Sequence, residues 1–375
     1  MKISDLCVRF SCGDNILSAD IFEKGDYPVY GGNGIRGYTK KSNFEGECAV
    51  IGRQGANCGN VLYFKGKGYF TEHAIVAVPN ENICTGYFAY KLSLLNLSKY
   101  QGQSAQPGLS AKTLSKLDID FPKLEDQKII FSFINSIDLI IQNNKKQIET
   151  LESIAKTIYD YWFVQFDFPN EDGRPYKSSG GKMVWNEELK RDIPEGWNCV
   201  QLSDVFSFIK GKLPEKLSVT KGESLETYIT IDVANGGNPL YCSPQKMIRC
   251  DSETIMVMDG AASGDVYVGL KGILGSTFSM IDMKRSDISN SFIYLLLNSL
   301  KKVYVRANTG STVPHANSQY IGQLKVSIPK NCSVFSKEID SIFEKIISSK
   351  EQLNELNSLK SFLLPLLFNG QVAIE

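Results

Sequence analysis

Arg36 and Arg53 hold the clearest chemical opportunity in this 375-residue chain. Arg36 follows the glycine turn Gly31-Gly32-Asn33-Gly34 with Lys40 and Lys41 close behind, and Arg53-Gln54 stand in a second loop bounded by Gly52 and Gly55. A guanidinium can bond guanine O6 and N7 bidentately, and the amides of Asn33 and Gln54 can do the same to adenine, so these loops hold the side-chain types that base readout in a DNA groove requires. The second half of the chain offers Lys210 and Lys212, which flank Gly211, and Arg306, Asn308, Ser311 and Thr312 ahead of Pro314. The lysines suit phosphate contacts, which position a protein without specifying sequence. Each residue also has an ordinary reading. Asn-Gly is a turn former, scattered lysines are usually solvated, His315 beside Pro314 reads as a hydrogen-bonded loop histidine, and Tyr30 and Tyr38 read as strand packing. Residue type alone leaves the choice open.

No catalytic set accompanies these loops. There is no Asp/Asn-Pro-Pro-aromatic stretch of the amino-methyltransferase kind, for which Asp167-Phe168-Pro169 is no substitute, and no Gly-x-x-x-x-Gly-Lys-Ser/Thr phosphate loop. Gly32-Asn33-Gly34-Ile35-Arg36-Gly37 fits Gly-x-Gly-x-x-Gly, but Tyr38-Thr39-Lys40-Lys41-Ser42-Asn43 does not look like the helix that should receive a pyrophosphate. Glu188-Leu189-Lys190 lacks the acidic strand that a nuclease centre needs, and a surface helix is the better account. Nine cysteines without a Cys-x-x-Cys pair, and only two histidines, His73 and His315, argue against a zinc site.

The length favours two or more domains, and the composition is that of an ordinary globular protein. A formal net charge of zero argues against indiscriminate coating of nucleic acid, while leaving room for a protein that reads sequence with locally placed basic groups. The start, Met1-Lys2-Ile3-Ser4-Asp5, lacks an apolar secretory core, and no apolar run reaches membrane-spanning length, so a cytoplasmic address and no membrane partner are expected.

The elements that carry the loops occur twice. Gln106-Pro107, followed by Leu114, Leu117, Ile119, Phe121 and Pro122, matches Val313-Pro314, followed by Ile321, Leu324, Val326, Ile328 and Pro329, at one constant interval. Further upstream, Gly55 and Gly59 match Gly260 and Gly264. Short β-branched and aromatic runs between glycines, such as Cys48-Ala49-Val50-Ile51 and Ala74-Ile75-Val76-Ala77-Val78, predict strands. Two copies of a region this long point to a duplicated domain and not to a solenoid.

A different pattern follows each globular region. From Glu125 to Phe163 there is neither glycine nor proline, and Ile134, Ile137, Ile141, Asn144, Ile148, Leu151, Ile158 and Trp162 recur at steps of three and four or their multiples. The second copy places Ile339, Ile342, Ile346, Ser349, Leu353, Leu356, Leu363 and Leu367 in the same way, with polar Ser349 aligned to Asn144. These are coiled-coil seams. Lys360 is expected to weaken the second seam locally, and Pro365 to end or kink its helix. The first helix, about 57 Å long at roughly 1.5 Å per residue, is expected to pair with the second intramolecularly and antiparallel, giving pseudo-two-fold symmetry. The expected fold is α+β: a first α/β domain over 1–122, a helix over 123–163, a polar linker and lead-in over 164–200, a second α/β domain over 201–329, and a helix with a tail over 330–375. Two similar domains with different loops suit a two-part target such as DNA with two half-sites.

Several motifs together resemble the specificity subunit of type I restriction-modification enzymes. They are Tyr27-Pro28-Val29-Tyr30-Gly31-Gly32-Asn33-Gly34, Gln106-Pro107-Gly108-Leu109-Ser110, Met183-Val184-Trp185-Asn186, Ile193-Pro194-Glu195-Gly196-Trp197 and Leu363-Leu364-Pro365-Leu366-Leu367-Phe368-Asn369-Gly370. The resemblance implies two target-recognition domains that read a bipartite, asymmetric site in double-stranded DNA, with the helices as spacer and docking site. It further implies two methyltransferase subunits carrying S-adenosylmethionine, restriction subunits using ATP and Mg, and no cofactor or catalytic residue in this chain. The rival readings are a two-module scaffold for protein or polysaccharide and a self-sufficient methyltransferase.

Overall fold

The computed structural model describes residues 1–55, 58–102, 108–308, 314–372 and 374. The chain divides into two compact units, Met1–Gln142 with Leu356–Glu375, and Asn143–Glu355. Two long helices, Leu124–Tyr159 and Ser333–Phe368, each contribute residues to both units.

In the first unit, β1 (Cys7–Cys12), β2 (Tyr27–Gly31), β3 (Gly34–Thr39), β4 (Phe44–Gly52), β5 (Val61–Phe70) and β6 (Ala74–Pro79) form one sheet in the order β1-β6-β4-β5-β2-β3. Neighbours are antiparallel except β2 and β5, which pair parallel through Val29 with Tyr69 and Tyr30 with Phe70. The nearly unbroken apolar runs of β4 and β6 follow from burial on both faces. Ala49, Ile51, Ile75 and Ala77 enter a core with Phe88 and Leu92 of helix Thr85–Ser93, while Cys48, Val50, Ala74 and Val76 face a second core with Phe64 and Phe70.

The second unit contains β7 (Met183–Asn186), β8 (Arg191–Pro194), β9 (Trp197–Gln201), β10 (Phe206–Lys210), β11 (Glu226–Ile229) and β12 (Leu240–Cys242). It continues with β13 (Arg249–Asp251), β14 (Ile255–Val257), β15 (Val266–Tyr267), β16 (Lys271–Leu274), β17 (Phe278–Met283) and β18 (Lys325–Pro329). The order β10-β17-β14-β15 repeats β1-β6-β4-β5 and is antiparallel at every step. Thus the duplication survives as topology. The parallel pairing of β2 with β5 recurs between β11 and β16, but in a separate sheet ordered β12-β11-β16-β13. Helix Asn290–Tyr304, capped by the Ser289 hydroxyl accepting from the Phe292 N–H, packs Phe292, Ile293 and Leu296 into a core with Met256 and Ile281.

Within each unit the two long helices run antiparallel. In the first, Ile134 packs with Leu363, Leu367 and Phe368, and the Phe368 ring stacks on Tyr87 of the globular region at 4.4 Å. In the second, Asn144 Nδ2 donates to Gln352 Oε1 over 3.2 Å, Ile148 and Leu151 join a core with Ile342, Ile346 and Leu353, and Phe163 meets Phe335 edge to face at 4.7 Å. Among the seam positions, Ile134, Ile137, Ile141, Asn144, Ile148, Ile339, Ile346, Ser349 and Leu367 are buried. Leu151, Ile158, Trp162, Ile342, Leu353, Leu356 and Leu363 are partly buried.

Four local expectations are corrected. Lys360 does not leave a gap in the seam: its ammonium bonds both oxygens of Asp138 at 2.5 and 2.7 Å and lies 5.2 Å from the Tyr90 ring centre, while the Tyr90 hydroxyl bonds the same carboxylate. Pro365 sits inside the second helix, which continues to Phe368. The stop comes at left-handed Gly370, whose N–H and that of Gln371 return to the carbonyls of Leu367 and Leu366. Glu187 to Lys190 form a hairpin turn between β7 and β8 and not a helix, because Asn186 Oδ1 accepts from the N–H groups of Glu188 and Leu189 and Lys190 is left-handed. The polar linker is itself folded: the Asp167 carboxylate accepts from the Ser178 N–H and hydroxyl, and Phe168 stacks on Tyr176 and Trp197 at 4.7 and 5.2 Å.

The Asp138 contact predicts that Asp138→Ala, which removes the acceptor from both Lys360 and Tyr90, lowers stability by roughly 2 kcal/mol in urea denaturation. Asp138→Leu combined with Lys360→Leu should recover most of that loss. An unchanged midpoint for the single variant would contradict the assignment.

Asp287 anchors the start of the second long helix: it bonds Arg285 and accepts from the Cys332 N–H over 2.9 Å. The Arg285 guanidinium, helped by that N–H, holds its pKa down from 3.8 to about 2 despite partial burial. A depressed carboxylate contributes stability above its ordinary value and loses it as pH falls through the folded value. Acid titration of unfolding should therefore show a loss between about pH 4 and pH 2 that Asp287→Asn removes, and an identical acid profile in the variant would contradict it.

Candidate nucleic-acid interface

The same pair of segments is bridged in both units. In the first, the loop after β4 meets the segment after the Gln106-Pro107 motif: Gln54 and Gly108 form an isolated β-bridge, and the Leu109 N–H donates to the Arg53 carbonyl over 2.9 Å. In the second, Asp259 bridges His315, and the Ala316 N–H donates to the Met258 carbonyl over 2.8 Å. Left-handed glycines turn each loop, Gly55 and Gly59 at φ +84° and +92°, Gly260 and Gly264 at +100° and +96°. Only glycine adopts this backbone at little cost. The loop closes alike in both, with Gly59 N–H to Gly52 carbonyl and Gly264 N–H to Val257 carbonyl, each 2.8 Å.

A third segment joins each bridge region through another glycine. A Cβ on Gly13 would lie 2.0 Å from the Phe70 carbonyl oxygen, and one on Gly211 would lie 2.1 Å from that of Gly275. This close approach places the end of β10, with Lys210, beside the Asp259 loop.

The candidates of the first unit separate into two kinds. Arg53 is committed to the fold: its Nε donates to the Leu109 carbonyl over 3.0 Å and an Nη to that of Glu72 over 3.4 Å. It clamps the bridge. Gln54 is partly exposed on the same loop, and its carbonyl lies against Gly32. Asn33 and Arg36 are exposed on the β2–β3 hairpin, with the Arg36 stem crossing Gly31. Beside them lies a cleft of about 280 Å³ whose lining includes Gly31, Gly32, Asn33, Gly52 and Gly59 together with Val50, Val61 and Leu62. Gly32 to Gly37 therefore make a hairpin, and no helix follows that would bind a dinucleotide. Lys40 and Lys41 are exposed at the other end of β3 from the hairpin turn.

In the second unit Lys210 donates to Asp259 Oδ2 over 3.3 Å, and Lys212 donates to the Lys246 carbonyl over 3.2 Å. Asn308 Nδ2 donates to the carbonyl and hydroxyl of Ser263, inside the bridged loop, and its buried Oδ1 has no partner among the described residues. Arg306 is exposed one turn after helix Asn290–Tyr304. Ser311 and Thr312 lie outside the described residues, as do Gln106 and Pro107. His315 Nδ1 is 2.8 Å from Asp259 Oδ1. Burial raises the pKa of Asp259, but the bonds from His315 and Lys210 outweigh it and leave the carboxyl below its ordinary value. Asp259 is not among the residues that residue type picks out, although it stands to Gln54 at the same spacing as Gly260 to Gly55 and Gly264 to Gly59.

Among the described residues, no group of three or more His, Cys, Asp or Glu is placed to hold a metal ion, and no helix is long and apolar enough to cross a membrane. The two close approaches predict that Gly13→Ala and Gly211→Ala each destabilise their own unit by about 3 kcal/mol, because backbone and not a movable side chain must yield. Urea denaturation checks this, and a shift below about 0.5 kcal/mol in either variant would contradict the geometry.

Comparison with known proteins gives these loops a context. Residues 1–153 and 194–360 match the family model described as the type I restriction modification DNA specificity domain. The chain is 27% identical over 317 residues to the type I restriction enzyme MjaIX specificity subunit of Methanocaldococcus jannaschii, spanning 80% of this chain and 71% of that protein. It is 39% identical over 137 residues to the EcoprrI specificity subunit of Escherichia coli, spanning 36% of this chain and 34% of that one. The crystal structure of the type I restriction-modification S subunit from M. genitalium shares the fold, with a TM-score of 0.68 at 18% identity over 98% of this chain and 95% of that one. A duplicated domain, two bridged loops of different chemistry and a family match in each half lead to one conclusion: the chain belongs to the type I restriction modification DNA specificity family.

Proposed function

We propose that each unit reads one half of a bipartite, asymmetric site in double-stranded DNA. The observation that carries this reading is the pair of bridged loops, which share a backbone and differ in side chains: Arg53-Gln54 bridged to Gly108 in one unit, Met258-Asp259 bridged to His315 in the other. Equal frames with unequal side chains suit two different half-sequences. Base edges are distinguished by the donors and acceptors presented to them.

The exposed cations assist from outside the bridge. Arg36, Lys40, Lys41 and Arg306 are free of the clamping role that holds Arg53, and contacts of this type release counterions from the phosphate backbone. Methyltransferase subunits dock on the long helices, two per chain, and bring S-adenosylmethionine to an adenine of each half-site. Restriction subunits add ATP- and Mg-dependent cleavage. On this reading the chain supplies recognition and its partners supply the chemistry.

Titration of duplex binding with salt tests the proposal. Affinity should fall steeply as ionic strength rises, and a preferred sequence should persist at salt concentrations where scrambled duplexes no longer bind. A flat salt dependence with no preference among sequences would refute it.

A further inference from the structure

Three ionisable side chains from three separate segments meet at the bridge of the second unit. His315 Nδ1 is 2.8 Å from Asp259 Oδ1, and Lys210 Nζ is 3.3 Å from Asp259 Oδ2. The Asp259 side chain keeps 29% of its surface open. Its oxygens offer about four lone-pair sites, so two contacts leave acceptors unused. At the equivalent point of the first unit stands Gln54, bridged to Gly108 as Asp259 is to His315, and followed by left-handed Gly55 as Asp259 is by Gly260. The backbone is kept, and an amide that donates and accepts gives way to a carboxylate that only accepts.

A carboxylate turned toward DNA is repelled by phosphate unless cations lie beside it. Lys210 provides that compensation from one other segment, and His315 holds the carboxylate by a hydrogen bond from a third. An acceptor-only group selects a base edge that presents a donor without an adjacent acceptor to match an amide. In the major groove this describes the N4 amino group of cytosine, whereas adenine presents N6 and N7 together and suits an amide such as Gln54.

We propose that Asp259 is a specificity-determining residue of the second half-site, accepting a hydrogen bond from the N4 amino group of a cytosine in the major groove, with Lys210 offsetting its charge and His315 holding it by a hydrogen bond. The inference rests on the DNA-recognition reading above, and its test separates the two.

The full chain, assembled with its methyltransferase partners, is presented with duplexes of its own methylated site. Each cytosine of the second half-site, on either strand, is replaced in turn by a pyrimidinone lacking the 4-amino group. One replacement should lower affinity about tenfold. Asp259→Ala, which removes the acceptor, should abolish that discrimination while selectivity in the first half-site is unchanged. Lys210→Met, which leaves the acceptor in place, should keep the discrimination and reduce the salt dependence. Tolerance of every replacement, a second half-site without cytosine, or discrimination that survives Asp259→Ala would overturn the assignment. So would loss of discrimination in Lys210→Met with Asp259 intact, since the acceptor alone is assigned the readout. The replacement series uses the unaltered protein, so tolerance of every replacement overturns the assignment even if a variant fails to fold. Failure of the parent duplex to bind in preference to a scrambled one would instead sink the recognition reading itself.

Discussion

Burial of the apolar seam between the two long helices is the constraint on which each unit depends. Neither globular region closes its core with its own consecutive chain. In the first unit Tyr87 and Ile134 are covered by Leu367 and Phe368, which arrive from the far end of the sequence. In the second, Tyr159 and Phe163 of the first helix pack with Phe335, Ile339 and Phe343 of the other. At roughly 1.5–3 kcal/mol for each large apolar side chain fully buried, even the four residues of the smaller cluster outweigh any single polar contact in the chain. The polar interruptions act differently. Asn144 with Gln352, and Asp138 with Lys360, are satisfied only in one alignment of the helices, so they define register more than they add stability.

Above that base the two units share a frame and diverge in its decoration. The order β1-β6-β4-β5 recurs as β10-β17-β14-β15, and the bridge between the glycine loop and the proline segment recurs with it. Glycine is retained where backbone crowds backbone, at Gly13 and Gly211, and where the loop turns left-handed, at Gly55 and Gly260. Side chains on this frame are free to differ because they do not maintain it. Arg53 and Asp259 are exceptions: the Arg53 guanidinium spans two carbonyls in the first unit, and in the second the Asp259 carboxylate bonds His315 and Lys210 across the same region.

Local pattern and repetition made much of this legible in the amino-acid sequence. The nearly unbroken apolar runs of β4 and β6 and the steps of three and four through Ile134, Ile137 and Ile141 are properties of neighbouring residues, and the constant interval from Pro107 to Pro314 announces the duplication. Contacts between distant residues were not legible. Nothing near Lys360 reveals that Asp138 will receive its ammonium, and nothing near Arg53 reveals that the Leu109 carbonyl will take its Nε–H. Residue type marks Arg53 as a candidate reader of bases, and only its surroundings show that it also closes the bridge. Asp259 carries no such mark, because an acid is not the residue type expected to face DNA. The turn at Glu187 to Lys190 and the folding of residues 164–182 went unread for a similar reason, since each depends on one side chain, Asn186 or Asp167, capping specific backbone or hydroxyl groups.

The central claim is that the frame is architecture and the difference between its two copies is function. Mapping methylated adenines produced by the assembled complex tests it most directly, once with the natural chain and once with residues 201–329 replaced by the corresponding region of a relative. The account predicts that one half of the recognised sequence changes and the other is retained. A change in both halves, or in neither, would contradict it.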